Sequence, residues 1–329
     1  MKKVLLSFVA LVLLITLTAC NSEQSGGGNT DNYPEKTLNW TIAFGPGGGN
    51  DIMSRTIIDI INQYDLYPND IVPENREGGS GAVGWGYLNS KKGDPYQISS
   101  TSGSFINTPL VSDVPFSHES FTPVALLATD DMVMLVNEDS EFNTLEDFIN
   151  AAKSGKTLSI GGIGAVNVDM MIPKLLADQA DFEFEYVPFQ GGGELTSGLL
   201  SKSVDAIMAN PAETIGQIQG GKMKALAFSG QKRIPQLPDV PTLIESGYEV
   251  SLPMPRGVIL AGDVPKEVQE WWVETLKVVV EKPEWKKYIE ENSLTDYQLF
   301  GDEFGSYLAE THHTFEDILL EIGAIEEKK

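Results

Sequence analysis

The 329-residue chain reads as an α/β protein of two lobes with a ligand cleft between them. Three observations predict this. Strand, glycine turn and helix alternate along most of the chain, an order that builds mostly parallel sheets with helices on their faces. Two stretches interrupt that rhythm and mark lobe crossings: Asn137-Glu138-Asp139-Ser140, directly after a strand, and Val250-Ser251-Leu252-Pro253, after a proline-rich segment. The C-terminal part, 265–325, is mostly helical and too poor in strands for a sheet of its own, so it returns to complete the first lobe. The expected boundaries are 1–19 for a targeting segment, 20–32 for a tether, 33–137 plus 251–329 for one lobe, and 138–250 for the other.

The first residues are an address. Lys2 and Lys3 precede an apolar run, 4–17, and Leu17-Thr18-Ala19-Cys20 closes it with small residues before the only cysteine. This resembles a bacterial lipobox, in which the cysteine becomes the lipidated first residue of the mature chain. The alternatives are a plain secretory signal or a membrane helix. A spanning helix needs about 20 apolar residues, and no stop-transfer flank follows. Residues 21–32 are polar and glycine-rich, as a flexible tether would be. The expected location is extracytoplasmic, anchored to the cell membrane through Cys20, with no disulfide in the body.

The first strand, Leu38-Asn39-Trp40-Thr41-Ile42-Ala43-Phe44, alternates apolar and polar residues. Gly45-Pro46-Gly47-Gly48-Gly49-Asn50-Asp51 joins it to a helix whose apolar face is Ile52, Met53, Ile57, Ile60, Ile61 and Tyr64, with Asn50 or Asp51 as N-cap. The free N–H groups of such a helix start form an anion pocket. Ile71-Val72-Pro73 is a short strand feeding Glu74-Asn75-Arg76-Glu77-Gly78-Gly79 and a small-residue helix over 82–90. A strand at 96–100 ends in Thr101-Ser102-Gly103-Ser104, and apolar runs at 121–127 and 132–136 read as strands.

Thr144 caps a helix with Leu145, Phe148, Ile149 and Ala152 on one face, ending near Gly155. Leu158-Ser159-Ile160 runs into a second glycine turn, Gly161-Gly162-Ile163-Gly164, and a helix over 169–179. The strand at 182–187 enters a third, Gln190-Gly191-Gly192-Gly193, and a helix over 195–201. A strand at 206–209, a helix opened by Asn210-Pro211-Ala212-Glu213 and a strand at 224–228 complete this lobe. In the C-terminal part Val268, Trp271, Trp272, Thr275, Leu276 and Val279 share a helix face, and Trp271, Trp272 and Trp285 fit helix packing better than a ligand stack.

Charge narrows the function. Loss of Lys2 and Lys3 with the signal takes the formal charge from −24 to −26, which argues against nucleic acid and against docking on anionic lipid. A local pocket of N–H dipoles can still hold an anion against that field. Only four arginines are present, Arg55, Arg76, Arg233 and Arg256, so backbone donors must carry most anion recognition.

Several motifs match a known family in the same order. Tyr33-Pro34-Glu35-Lys36, the Gly47-Gly48-Gly49-Asn50-Asp51 loop with Arg55 one turn on, Glu74-Asn75-Arg76-Glu77-Gly78-Gly79-Ser80-Gly81, Val187-Pro188-Phe189-Gln190-Gly191-Gly192-Gly193, and Arg233 with Pro238-Asp239-Val240-Pro241-Thr242-Leu243-Ile244-Glu245-Ser246-Gly247 resemble the Bug family. These are the solute-binding proteins of tripartite tricarboxylate transporters, and the likeness spans about 33–325. It implies a periplasmic-binding-protein fold, a small carboxylate ligand, and a two-subunit membrane permease as partner. It also implies a grip by main-chain groups, small side chains and ordered water. That places Phe44, Gly47, Gly48, Asn50 and Asp51 on one wall, and Gly162, Ile163, Gly164, Asn167 and Gly191 on the other. The chain departs from the common pattern at Asn50, where Thr is frequent, and at 163–167, where a serine-rich stretch with His is usual.

Four residues have a side-chain role open to them. Ser102 and Ser104 offer hydroxyls to a ligand, Asp51 accepts from a ligand hydroxyl or water if it is more than a helix cap, and Arg256 reaches a ligand carboxylate, a lobe contact or solvent. No loop continues as a Walker motif, and Asn167 stands where a dinucleotide fingerprint needs its third glycine. His118, His312 and His313 are scattered, without metal spacing, and no nucleophile elbow is present. The reading is a monomeric, cofactor-free and metal-free binding protein. Its rivals are a sensor component that presents its ligand to a signalling receptor, and an exported hydrolase.

Overall fold

The computed structural model describes residues 33–163, 167–189 and 192–326. Cys20, Gly164 and Gly191, with the whole targeting segment and tether, lie outside the described residues. The chain forms two lobes, each a sheet flanked by helices, as expected. In the first, β1 (Leu38–Ile42), β2 (Ile71–Asn75), β3 (Gln97–Ser100), β4 (Thr122–Asp130), β10 (Met254–Leu260) and the short β11 (Leu299–Phe300) stand in the order β11-β4-β10-β3-β1-β2. In the second, β5 (Val133–Asn137), β6 (Leu158–Ile163), β7 (Phe184–Phe189), β8 (Ala206–Ala209) and β9 (Met223–Phe228) stand in the order β7-β6-β8-β5-β9.

Apart from β11, the two orders are the same. In each lobe the strand that arrives from the other lobe, β10 or β5, inserts beside the last strand. Both arriving strands run antiparallel to their neighbours, while β1 with β2 and β3, and β6 with β7 and β8, are parallel. The sheets are therefore mixed rather than mostly parallel.

One boundary differs from the sequence reading. Residues 133–137, assigned there to the first lobe, pair in the second sheet between β8 and β9. Val133, Met134, Leu135 and Val136 are all buried, as a central strand covered on both faces requires. The polar run at 137–140 is a turn at the far end of β5, where Ser140 N–H donates to Asn137 O at 2.9 Å. The chain crosses instead at Asp130-Asp131-Met132, and Ser229 clamps that crossing through its amide and hydroxyl to Met132, both at 2.8 Å.

Helices α1 (Gly49–Gln63), α2 (Ala82–Asn89) and α3 (Gly103–Val111) follow β1, β2 and β3. Helices α4 (Leu145–Lys153), α5 (Val168–Ala180), α6 (Gly192–Leu200) and α7 (Pro211–Gln219) do the same in the second lobe. Helices α8 (Lys266–Val280), α9 (Pro283–Glu291) and α10 (Asp302–Glu321) complete the chain. Trp40, Trp272 and Trp285 are fully buried with α1, α8 and α9 against one face of the first sheet, so the tryptophans are packing residues. Helix α10 covers the other face through Phe304 and Leu308, while Phe315, Ile318 and Leu319 share a core cluster with Leu176 and Ala177 of α5. Lys174 of α5 and Glu321 of α10 pair at 3.1 Å, a third tie between the lobes.

Candidate ligand-binding site

The first glycine loop is held from behind and left open in front. Gly47 needs its glycine, because its φ is +82°. Gly48 is the N-cap of α1, with extended backbone and no side-chain cap. Asn50 and Asp51, expected as the cap, sit inside the first turn because the helix starts earlier, at Gly49. Both turn inward. Asn50 donates to Thr101 O at 3.1 Å and accepts from Ser100 Oγ at 2.6 Å. Asp51 accepts from the Gly47 N–H, Arg55 and Asn75, each at 2.9 Å. Burial pushes the Asp51 carboxyl up, but these three donors outweigh it and hold it below its ordinary range. The side chains thus brace the loop, and the first-turn N–H groups of α1, which have no i→i−4 acceptor, lie beside exposed Gly48 and Gly49. Phe44 meets Trp85 edge-on, with ring centroids 5.7 Å apart.

Asn50 also ties α1 to the start of α3. Ser102 is the N-cap of α3 but makes no capping bond. Its Oγ is buried and finds no hydrogen-bond partner among the described residues. Ser104 is half-buried in the same first turn. Ser102→Ala is expected to weaken ligand binding about tenfold, the worth of one hydrogen bond of about 1.4 kcal/mol, with a melting point within about 1 °C of the parent. Calorimetry and a melting curve check both.

In the second lobe Asn167 caps α5, accepting from Val168 N–H at 2.7 Å and donating to Ile163 O at 3.3 Å. Gly162 lets strand and helix meet: a Cβ there would lie 2.5 Å from Asp169 Cβ and 2.6 Å from the Tyr186 hydroxyl. Asp169 accepts from Ile163 N–H at 2.8 Å. Asn210 caps α7 and accepts from Ala212 N–H at 2.9 Å. Gly192 opens α6 against the Glu213 carboxylate.

The floor joins the two walls. Arg256 of β10 packs against Gly49, where a Cβ would sit 2.9 Å from its guanidinium. Its Nη2 donates to Asp130, and the other Asp130 oxygen accepts from Asn210 of the second lobe. Asp130 is 2% exposed. Arg256 is therefore already paired, a lobe contact more than a free cation for the ligand. Burial works against its charge, and Asp130 outweighs burial. Two more carboxyls feel Asp130 across the cleft. Burial pushes Asp169 up to about 7, with Glu213 and Asp130 adding to it after its amide donors pull the other way. Burial, then Asp130, raises Glu213.

Asp130, Asp169, Asn210 and Glu213 were not singled out on sequence. Asp130-Asp131 at the end of an apolar strand was the available signal for the first, since a carboxylate there needs a partner. Arg55 is paired with Asp51, and Arg76 with Glu74 while lying over the Tyr87 ring. His118 and His312, far apart in sequence, come together with ring centroids 4.7 Å apart. Among the described residues no three His, Cys, Asp or Glu are placed to hold a metal ion.

Two lobes, each a sheet flanked by helices and tied together by the Asp130–Asn210 contact, are the architecture of a solute-binding protein. A family model described as "Tripartite tricarboxylate transporter family receptor" (TctC) matches residues 63–324, and the chain belongs to that family. This is a family of extracytoplasmic receptors, not enzymes. A relative from Pseudomonas sp. (strain P51), the UPF0065 protein in the tcbD-tcbE intergenic region, is 30% identical over 232 residues, 67% of each chain. The crystal structure of a TctC solute-binding protein from Polaromonas is 24% identical, with a TM-score of 0.80 over 88% of this chain and 99% of that one. Two Rhodopseudomonas palustris proteins share the fold at 19% identity. MatC with bound malate has a TM-score of 0.68 over 87% of this chain and all of its own. A second, with adipate, has 0.72 over 89% and 99%.

Proposed function

We propose that this chain captures a small dicarboxylate in the cleft between its lobes, and that the closed form delivers it to the membrane permease of a tripartite transporter. Lipidated Cys20 holds the receptor at the membrane. The observation that carries the reading is the set of helix starts around one floor: α1 and α3 from one lobe, α5 and α7 from the other. Such starts bind carboxylates without cationic side chains, which suits a cleft whose one arginine is already paired. Relatives of the same fold with malate and adipate fit that size and charge. The ligand favours the closed form because only there do both sets of N–H groups reach it. The test is calorimetry of the purified mature domain with malate, adipate, citrate and tricarballylate. Binding of none of them by folded protein overturns the proposal.

The carboxyls of the second wall give that binding a pH dependence. Asp169 sits at about 7 in the free protein, and an anion beside it raises it further. The complex then holds more protons than the free receptor, so affinity falls as pH rises through 7. The fall is at most about tenfold per pH unit for each proton taken up. Titrations in buffers of different ionisation enthalpy read the uptake directly, and Asp169→Asn is expected to flatten the profile.

A further inference from the structure

Asp130 ends β4 and is held by Arg256 and Asn210, whereas the next residue, Asp131, is held by Thr129 and Thr295. Asp130 faces the cleft. Asp131 faces the back of the hinge, where a cavity of about 370 Å³ lies between both crossings and α10. That volume is ample for a small organic molecule. Its walls are Thr129 and Asp131 from the first crossing, Ser251 and Leu252 from the second, and Tyr307 from α10. Nothing in the transport cycle proposed above uses it.

Its chemistry is lopsided. Asp131 is 2% exposed. Oδ2 accepts from the Thr295 hydroxyl at 2.6 Å and the Thr129 hydroxyl at 3.1 Å. Oδ1 is buried and has no hydrogen-bond partner among the described residues, and the same holds for Ser251 Oγ. A buried carboxylate oxygen left so is costly, and it can only accept. Burial pushes the Asp131 carboxyl up to about 6 against the pull of the Thr295 and Thr129 hydroxyls, which leaves it mostly ionised at neutral pH. Around it the cavity adds Asp296 and Glu310 but only Lys232, so three carboxylates face one ammonium. Leu252 and the rings of Tyr297 and Tyr307 supply apolar surface. A metal ion fits poorly, since among the described residues no three of the usual ligands converge.

We propose that this hinge cavity is a second binding site, taking a small organic ammonium whose N–H groups meet Asp131 Oδ1 and Ser251 Oγ and whose short hydrocarbon body lies on Leu252, Tyr297 and Tyr307. A cation there restores the charge balance, and the tyrosine faces favour it further. Both crossings and α10 line the site, and Tyr307 already donates to Pro253 O at 2.9 Å. Occupancy therefore couples to the angle between the lobes, and each ligand alters the affinity of the other by the same factor.

The experiment titrates the mature domain with butylammonium and with 1,4-diaminobutane, by calorimetry and by tyrosine ring resonances. One site is expected, weakened at least tenfold in Asp131→Asn and blocked in Ser251→Phe, while Gly48→Phe in the cleft leaves it intact. Butyrate, of the same length and opposite charge, is expected not to bind there. No ammonium binding at millimolar concentration, equal binding by Asp131→Asn, or loss in Gly48→Phe each overturns the proposal. None of these outcomes depends on the dicarboxylate reading, which the cleft titrations test by themselves.

Discussion

Gly48→Phe is expected to lose dicarboxylate binding at least about 100-fold, or about 2.8 kcal/mol, while melting within about 2 °C of the parent. The two halves of this result have separate causes. The backbone at Gly48 is extended, with φ −77° and ψ 163°, a conformation any residue adopts. A Cβ there has only Gly45 O nearby, at an ordinary 3.6 Å. The folded protein therefore accepts a side chain. The position is nonetheless the N-cap of α1, so a benzyl group stands in front of the N–H groups that a carboxylate needs. Gly49 would be a poor probe, because a Cβ there presses on Arg256, and Gly47 would be strained by its positive φ. Unchanged affinity in Gly48→Phe would show that the first wall is not the grip.

Arg256→Met is expected to cost about 3–5 kcal/mol of stability, the range for breaking a buried ion pair. The Arg256 side chain is 15% exposed and that of Asp130 2%, so little water is available to take over. The variant leaves Asp130 charged and buried with two other carboxyls, Asp169 and Glu213, within electrostatic reach. Asp130→Asn in the same background removes that charge and is expected to recover a large part of the loss, a non-additivity that a double-mutant cycle reads. Urea unfolding midpoints supply the measurement. A loss below about 1 kcal/mol in Arg256→Met would mean that the pair is solvated and does not organise the floor.

The parts of the fold legible in the sequence are those fixed by neighbours along the chain. Thr144 forms the capping box expected of it, accepting from Asp147 N–H at 3.1 Å, and Gly155 takes the positive φ that ends α4. Asn210 caps α7 with Pro211 at the first position. What stayed hidden depends on distant partners. Strand β10, to which the sequence reading assigned no element, contains Pro255, Arg256 and Gly257. It is a strand because β3 and β4 take it between them, with a register shift at Arg256 and Gly257, and because Gly257 lets Phe304 and Ala125 O come close. Helix α3 begins at Gly103 and carries Pro109, both unfavourable for a helix, and packing against α10 overrides them. The glycine turns were legible as helix starts, with α1 opening at Gly49 and α6 at Gly192. The floor did not show, since Arg256 and Asp130 lie 126 residues apart.

The strand order has a consequence for the order of assembly. As the chain emerges N-terminus first, β3 and β4 are complete by residue 130 but cannot pair with each other, because the place between them belongs to β10 at 254–260. The nascent first half therefore carries two unsatisfied sheet edges until more than a hundred further residues have been made. A gene cut at the first crossing would yield a fragment whose sheet lacks the strand between β3 and β4.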